Sequence, residues 1–183
     1  IWGGPIGLTA GTPAPDWLLQ DQDLSRSTGH FIPYSLESDR MPAMLDNRYH
    51  AILQVTNRVP NISNFLLLNE PTYRGRTERF AEQFRDWLRT RYDDIDTLNR
   101  EWKTDYTGFD AVPANRLTGS VAGRRDWAWF NREHLTEHVR YLQQLLQRYG
   151  AHNRPGNVKL TSKVLRAPDA WSTGCDWQRI SEI

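Results

Sequence analysis

Four consecutive apolar residues, Phe65 to Leu68, are the feature of this sequence that most constrains its fold. A short uninterrupted apolar run is typical of a β-strand that is buried on both faces, as in a parallel sheet covered by helices. The run stops at Asn69-Glu70-Pro71, where the proline marks a turn. The segment therefore predicts a central strand of an α/β fold.

Short apolar runs alternate with longer amphipathic segments along the rest of the chain. Further strands are predicted at Pro5–Thr9 and Val158–Lys163. Helices are predicted from Asp16, over 45–58, from Thr77 to Tyr92, over 95–102, over 125–149 and from Trp177 onward. Residues 20–44 and 103–123 are predicted as loops, because glycines and prolines interrupt them. The alternation indicates βα units around a parallel sheet.

The charge of the chain is nearly balanced, with 23 basic and 22 acidic residues and a net charge of +1. We therefore expect neither nucleic acid nor a membrane surface as a partner, and no segment approaches the ~20 apolar residues of a membrane span. Cys175 is the only cysteine, which excludes a disulfide framework within the chain. Eight tryptophans fit both a large aromatic core and the stacking of flat rings on sugars.

The pair Asn69-Glu70 lies at the carboxyl end of the clearest strand, where barrel enzymes hold their catalytic residues. A shielded carboxyl group there can stay protonated and donate its proton to a leaving group. An adjacent amide can hydrogen-bond a sugar hydroxyl without adding charge. The same residues also fit a simple strand-ending turn, and from the residues alone the two interpretations are about equally good.

Three segments together resemble a known family: Leu68-Asn69-Glu70-Pro71, Phe84–Leu88 and Tyr92–Thr104, which contains the pattern Leu-Asn-x-x-Trp-x-Thr. They resemble the glycoside hydrolases of clan A, and most of all the β-galactosidases of family 42. Pro15–Leu18 is similar to the loop after the third strand of that family. The resemblance implies an α/β fold, part of a (β/α)8 TIM barrel around strands 3 to 5. It also implies that residues 1–183 are one piece of the catalytic barrel, truncated at both ends.

The resemblance implies that Glu70 is the general acid/base of a retaining β-galactosidase and that Asn69 hydrogen-bonds the hydroxyl next to the reacting carbon. The nucleophile of the family is a second Glu after strand seven, which this sequence does not reach. Because retaining hydrolysis needs two carboxyl groups ~5–5.5 Å apart, the chain alone is expected to be inactive. The implied partner is a carbohydrate, a β-galactoside or oligosaccharide, and no cofactor is implied. Family members are often trimers, which implies a homo-oligomer.

Four further side chains are candidates for contact with the substrate. Lys163 ends a predicted strand and could face the site, but a solvated strand end is the better interpretation. Trp171 and Trp177 could form a sugar platform, but core packing is the better interpretation of both. Trp17, next to Asp16, could border the cleft.

His134 and His138 are spaced i, i+4 on a predicted helix, which is a metal-binding spacing when a third ligand is near. No Glu follows the first His as in metalloproteases, so we interpret both as helix-face residues and expect no metal. The lone Cys175 argues against the cysteine-held zinc of some family members. Solvent-facing positions are predicted for Glu78, Glu82 and Glu101.

Two alternative functions stay open at this point. The first is another clan A β-glycosidase or endo-glycanase with the same barrel, because galactose specificity rests on the resemblance alone. The second is a non-catalytic carbohydrate-binding barrel, against which the intact Asn69-Glu70 pair argues.

Overall fold

A computed structural model describes residues 16–21, 23–24, 32, 34–59, 64–69, 71–75, 77–113, 119–150, 159–163 and 174–183. In chain order its elements are α1 (Asp16–Gln20), α2 (Met41–Thr56), β1 (Asn64–Asn69), α3 (Glu78–Arg91), α4 (Ile95–Trp102), a 3-10 turn (Phe109–Ala111), α5 (Val121–Arg148), β2 (Lys159–Lys163) and α6 (Trp177–Ser181). The helices follow the sequence pattern closely, and the predicted strand at Pro5–Thr9 lies outside the described residues.

Strands β1 and β2 are parallel neighbours, joined by the crossover that contains α3, α4 and α5. Phe65 is opposite Leu160, and after an irregularity between Leu66 and Leu68 the pairing ends with Asn69 opposite Lys163. Two predicted strands and their parallel relation are therefore confirmed. Within the described ranges the sheet has two strands and is not closed into a barrel.

Helices α3 and α4 begin at side-chain caps that the sequence supplies. The Thr77 hydroxyl accepts a 3.0 Å hydrogen bond from the backbone N–H of Phe80, and the Asp94 carboxylate accepts one of 2.7 Å from that of Thr97. Each cap satisfies a backbone donor that the first turn leaves free. Helix α4 ends at Lys103, which has a left-handed backbone with φ 58°.

Two helices begin earlier than the breaker residues predict. Helix α2 starts at Met41 with Pro42 in its first turn, a position where the missing N–H of proline is not needed. Helix α5 starts at Val121, because the Ser120 hydroxyl caps it by accepting from the N–H of Gly123 at 3.1 Å. The predicted starts at residues 45 and 125 were therefore wrong by about one turn, since proline and glycine are tolerated in a first turn.

The core combines leucines with aromatic side chains, and aromatic rings pack against one another between α3, α4 and α5. The Phe130 ring lies 5.0 Å from that of Phe80 and 5.4 Å from that of Phe84, between ring centroids. Both contacts are in the range in which aromatic pairs add stability beyond their buried area. Trp102 is fully buried beside them, so α3 and α4 are fixed on α5 by large rings.

A buried carboxylate links the same three helices. Asp126 on α5 has no exposed surface. Its carboxylate accepts hydrogen bonds from the Tyr92 hydroxyl and from Trp102 Nε1, the latter at 3.1 Å. Arg125 adds a charged partner at 3.0 Å. Such partners are what allow a charge to be buried. None of the helices in the described ranges has the length and apolar character needed to cross a lipid bilayer.

Candidate functional site

The carboxyl ends of β1 and β2 bring two of the predicted site residues together. Asn69 and Lys163 are partners in the register of the two parallel strands. Neighbouring strands lie about 4.8 Å apart, so the two backbones end side by side at one edge of the sheet. In parallel α/β folds this edge is where ligands bind. The prediction that Lys163 ends a strand is confirmed, and its contact with a substrate stays a prediction.

The other predicted site residues are placed only in part. Glu70 and Trp171 lie outside the described residues, as do the side chains of Asn69, Lys163 and Trp177. Trp17 lies on α1 with 51% of its surface exposed. An exposed ring of this size suits a cleft border, and it suits a solvent-facing position equally.

The segment that follows Glu70 is packed tightly. Pro71, Tyr73 and Gly75 are all buried. The carbonyl of Tyr73 accepts a hydrogen bond from Nδ2 of Asn131 on α5. A Cβ at Gly75 would lie 1.9 Å from the Phe80 ring, so no side chain fits there. This part of the chain is therefore held from both sides immediately after the proposed proton donor.

A buried carboxylate, Glu37, lies against this segment and was missed by the sequence analysis. Its Oε2 accepts hydrogen bonds from the Ser35 hydroxyl at 2.6 Å and from the Tyr73 hydroxyl at 2.7 Å. The Tyr73 oxygen in turn accepts from the backbone N–H of Leu36 at 3.0 Å. On the other side, Nε2 of His134 lies 3.5 Å from Oε1 of Glu37, which is long for a hydrogen bond. His134 therefore faces this oxygen at a longer distance than the hydroxyls of Ser35 and Tyr73 keep from the other.

Two opposing effects act on the pKa of Glu37. Burial by itself raises it, because the charged form loses water. The facing imidazole of His134 and the hydroxyls of Ser35 and Tyr73 favour the charged form and outweigh burial. The pKa of Glu37 is therefore lowered, and the group is a carboxylate at neutral pH.

The two histidines of α5 have different surroundings. The side chain of His134 keeps 18% of its surface exposed. His138 is buried and hydrogen-bonded to the Tyr34 hydroxyl at 2.8 Å. Burial lowers the pKa of His138 to about 3. Across the described ranges, no group of three His, Cys, Asp or Glu side chains is placed to hold a metal ion.

The exposed glutamates and the buried cysteine are the remaining side chains that the sequence analysis considered. The glutamates that were predicted to face solvent are all exposed: Glu78, Glu82 and Glu101. Cys175 is buried, which raises the pKa of its thiol to about 11. A thiol with so high a pKa is a poor nucleophile at neutral pH.

A comparison with protein families identifies one family. The profile of glycoside hydrolase family 42, described as β-galactosidase, matches residues 8–178. A search of curated proteins by sequence found no significant match.

Several solved structures share the fold. A β-galactosidase from the Antarctic haloarchaeon Halorubrum lacusprofundi has a TM-score of 0.70 at 21% identity, over 93% of this chain and 27% of its own. The apo exo-carrageenase GH42 of Bacteroides ovatus has a TM-score of 0.66 at 21% identity, over 91% of this chain and 25% of its own. The cold-adapted β-galactosidase of Rahnella sp. R3 has a TM-score of 0.67 at 20% identity, over 92% of this chain and 26% of its own. The chain thus spans about a quarter of each of these TIM-barrel enzymes and has the fold of that part.

Proposed function

This chain belongs to glycoside hydrolase family 42, the β-galactosidases, and from that membership we propose that the protein is a retaining glycosidase acting on terminal β-galactosides. Glu70 is its general acid/base in this proposal. The observation that carries the proposal is the position of Asn69 at the carboxyl end of β1, paired with Lys163. That edge of the sheet is where a barrel enzyme carries out its chemistry.

The proposed positions in the barrel follow from the family. Strand β1 corresponds to barrel strand four and β2 to strand five, with α3, α4 and α5 as the connection between them. Within this assignment Asn69 hydrogen-bonds the hydroxyl beside the reacting carbon, and Lys163 donates to another hydroxyl. Trp17 and Trp171 supply ring faces for the sugar, and the protein acts as a homo-oligomer.

The proposed reaction has two steps. Glu70 first gives its proton to the glycosidic oxygen while a carboxylate from outside this chain attacks the anomeric carbon and forms a glycosyl-enzyme. The Glu70 carboxylate then takes a proton from a water molecule, which attacks the same carbon and releases the sugar with its configuration retained. General acid catalysis of this kind contributes about 10²- to 10⁴-fold to the rate.

The test replaces Glu70 in the full-length protein and compares an alkyl with a dinitrophenyl β-galactoside. With Glu70→Ala, kcat/KM for an alkoxide-like leaving group should fall about 10²- to 10⁴-fold. The loss for a dinitrophenyl leaving group should be much smaller, because that group departs without a proton. Glu78→Ala is the matched control, since Glu78 is an exposed carboxylate on α3. An equal loss on both substrates would contradict the acid/base role.

A second candidate substrate class has support from two structures of similar fold. One is the exo-carrageenase of Bacteroides ovatus with a TM-score of 0.66. The other is described as an exo-β-agarase and has a TM-score of 0.57 at 11% identity. The alternative is therefore a clan A enzyme that acts on polymeric galactans. Nitrophenyl glycosides tested beside agarose and carrageenan oligosaccharides separate the two, and sugar binding without turnover would favour a non-catalytic barrel.

A further inference from the structure

Glu37 is a buried charge that the proposed reaction does not use. Its side chain is 1% exposed. A carboxylate is taken out of water only when other groups replace its hydration. Here the hydroxyls of Ser35 and Tyr73 bind one oxygen, and His134 faces the other. We call these four residues the Glu37 cluster.

One member of the cluster belongs to the segment that follows the proposed proton donor. Tyr73 is three positions after Glu70 in the chain, a span of at most about 11 Å. Its hydroxyl donates to Glu37 and accepts from the N–H of Leu36, and its carbonyl accepts from Asn131. Tyr73 is therefore fixed by both its side chain and its backbone, by groups on two other segments.

The hydrogen bonds of Tyr73 differ in strength. The bond from Tyr73 to Glu37 ends on a charged acceptor, and such bonds are roughly twice as strong as those between neutral groups. The bond from the N–H of Leu36 to the Tyr73 hydroxyl orients the same oxygen from the opposite side. Loss of the charge at Glu37 would therefore loosen Tyr73 more than loss of any neutral partner.

We propose that Glu37 is a positioning residue, which through Tyr73 holds the segment after Glu70 so that the carboxyl group of Glu70 is aimed at the leaving oxygen. This inference rests on the proposed function of Glu70. Glu37 touches no substrate in this arrangement. Misplacement of a catalytic group by about 1 Å is enough to lower a rate about 10²-fold. A weakened cluster should therefore act on the proton-transfer step.

The experiment uses the full-length protein and two substrates. For Tyr73→Phe and for Glu37→Gln, kcat/KM is measured on a dinitrophenyl and on an alkyl β-galactoside. The value for the dinitrophenyl substrate is divided by the value for the alkyl substrate, and this ratio is compared with that of the parent. We expect the ratio to rise about 10-fold for Tyr73→Phe, with a smaller rise for Glu37→Gln, since the amide keeps an acceptor for the hydroxyl. The ratio does not depend on the fraction of folded protein, so a loss of stability alone leaves it unchanged.

Tyr92→Phe is the matched control. Tyr92 is also buried, and its hydroxyl donates to the carboxylate of Asp126. Its partner Asp126 precedes His134 by eight residues on α5, about 12 Å along that helix. The control should lower stability and leave the substrate ratio at the parent value.

The outcomes separate this inference from the proposed function. If Glu70→Ala changes the ratio while Tyr73→Phe and Glu37→Gln do not, the positioning role is overturned and the acid/base role stands. If Glu70→Ala leaves the ratio unchanged, both are overturned. If Tyr92→Phe changes the ratio as much as Tyr73→Phe, the effect reflects general loosening of the fold, and the positioning role is overturned.

Discussion

His138 gives a sharp prediction about stability in acid. Its ring is buried on α5 and hydrogen-bonded to Tyr34, and burial lowers its pKa to about 3. An unfolded histidine has a pKa of about 6.5. Between these values the unfolded chain binds a proton that the folded protein does not bind. Stability from this residue is therefore complete above about pH 6.5 and is lost as the pH falls from there towards 3.

The size of the effect follows from the same two pKa values. Each pH unit inside the window changes the free energy of unfolding by about 1.4 kcal/mol. Lowering the pH from 7 to 5 crosses about one and a half units of the window, so His138 should remove about 2 kcal/mol of stability. With a urea dependence of about 2 kcal/mol per molar, this loss lowers the urea midpoint by about 1 M.

The assay is urea unfolding at pH 7 and pH 5, followed by tryptophan fluorescence, for the parent protein and for His138→Gln. The parent should lose about 2 kcal/mol more than the variant between the two pH values, because glutamine does not titrate. His134 lies one helical turn from His138 on α5, and it remains in both proteins.

His50→Gln is the control for this assay. His50 is exposed on α2 and stacks on Tyr149 with 4.9 Å between ring centroids. Its replacement should leave the acid loss of the parent unchanged. If the parent and His138→Gln lose the same stability between pH 7 and pH 5, His138 is not a buried neutral histidine and the reasoning fails.

Two further predictions concern the backbone. Gly75→Ala should destabilise the protein by about 1–3 kcal/mol, because its Cβ would lie 1.9 Å from the Phe80 ring. A Cβ at Gly108 meets no atom within 4 Å, so Gly108→Ala should change the free energy of unfolding by less than about 0.5 kcal/mol. Equal thermal midpoints for the two variants would contradict this packing. Lys103→Gly should raise stability by up to about 1 kcal/mol, because φ is 58° and glycine adopts that angle without strain; a lower urea midpoint than the parent would show that no strain is present.

The elements that could be predicted from the sequence are those specified by neighbouring residues. The start of α3 at Thr77 was predicted because a hydroxyl precedes a helical pattern, and the structure shows that hydroxyl capping Phe80. Strand β1 was predicted from its apolar run, and β2 from the alternation of short apolar runs with helical segments. Asn69 and Lys163 end up side by side because parallel neighbours share one carboxyl edge. For α3 and β1 the signal lies within a few residues of the element.

The Glu37 cluster could not be predicted, because its members come from three separate parts of the chain. Tyr73 is 36 residues from Glu37, and His134 lies on α5. A single glutamate in a polar loop is ordinarily solvated, and that rule correctly placed Glu78 on the surface. The rule fails at Glu37 because Tyr73 and His134 reach it only through tertiary folding.

The cluster also explains why residues 34–38, predicted as part of a long loop, are buried in the structure. Leu36 supplies apolar contact with the core, yet burying Glu37 beside it would be unfavourable without compensating donors. The hydroxyls of Ser35 and Tyr73 provide them, so the burial of this segment depends in part on Tyr73, which follows Glu70 in the chain. A polar loop can therefore be buried when its charge is bound by donors from another part of the chain.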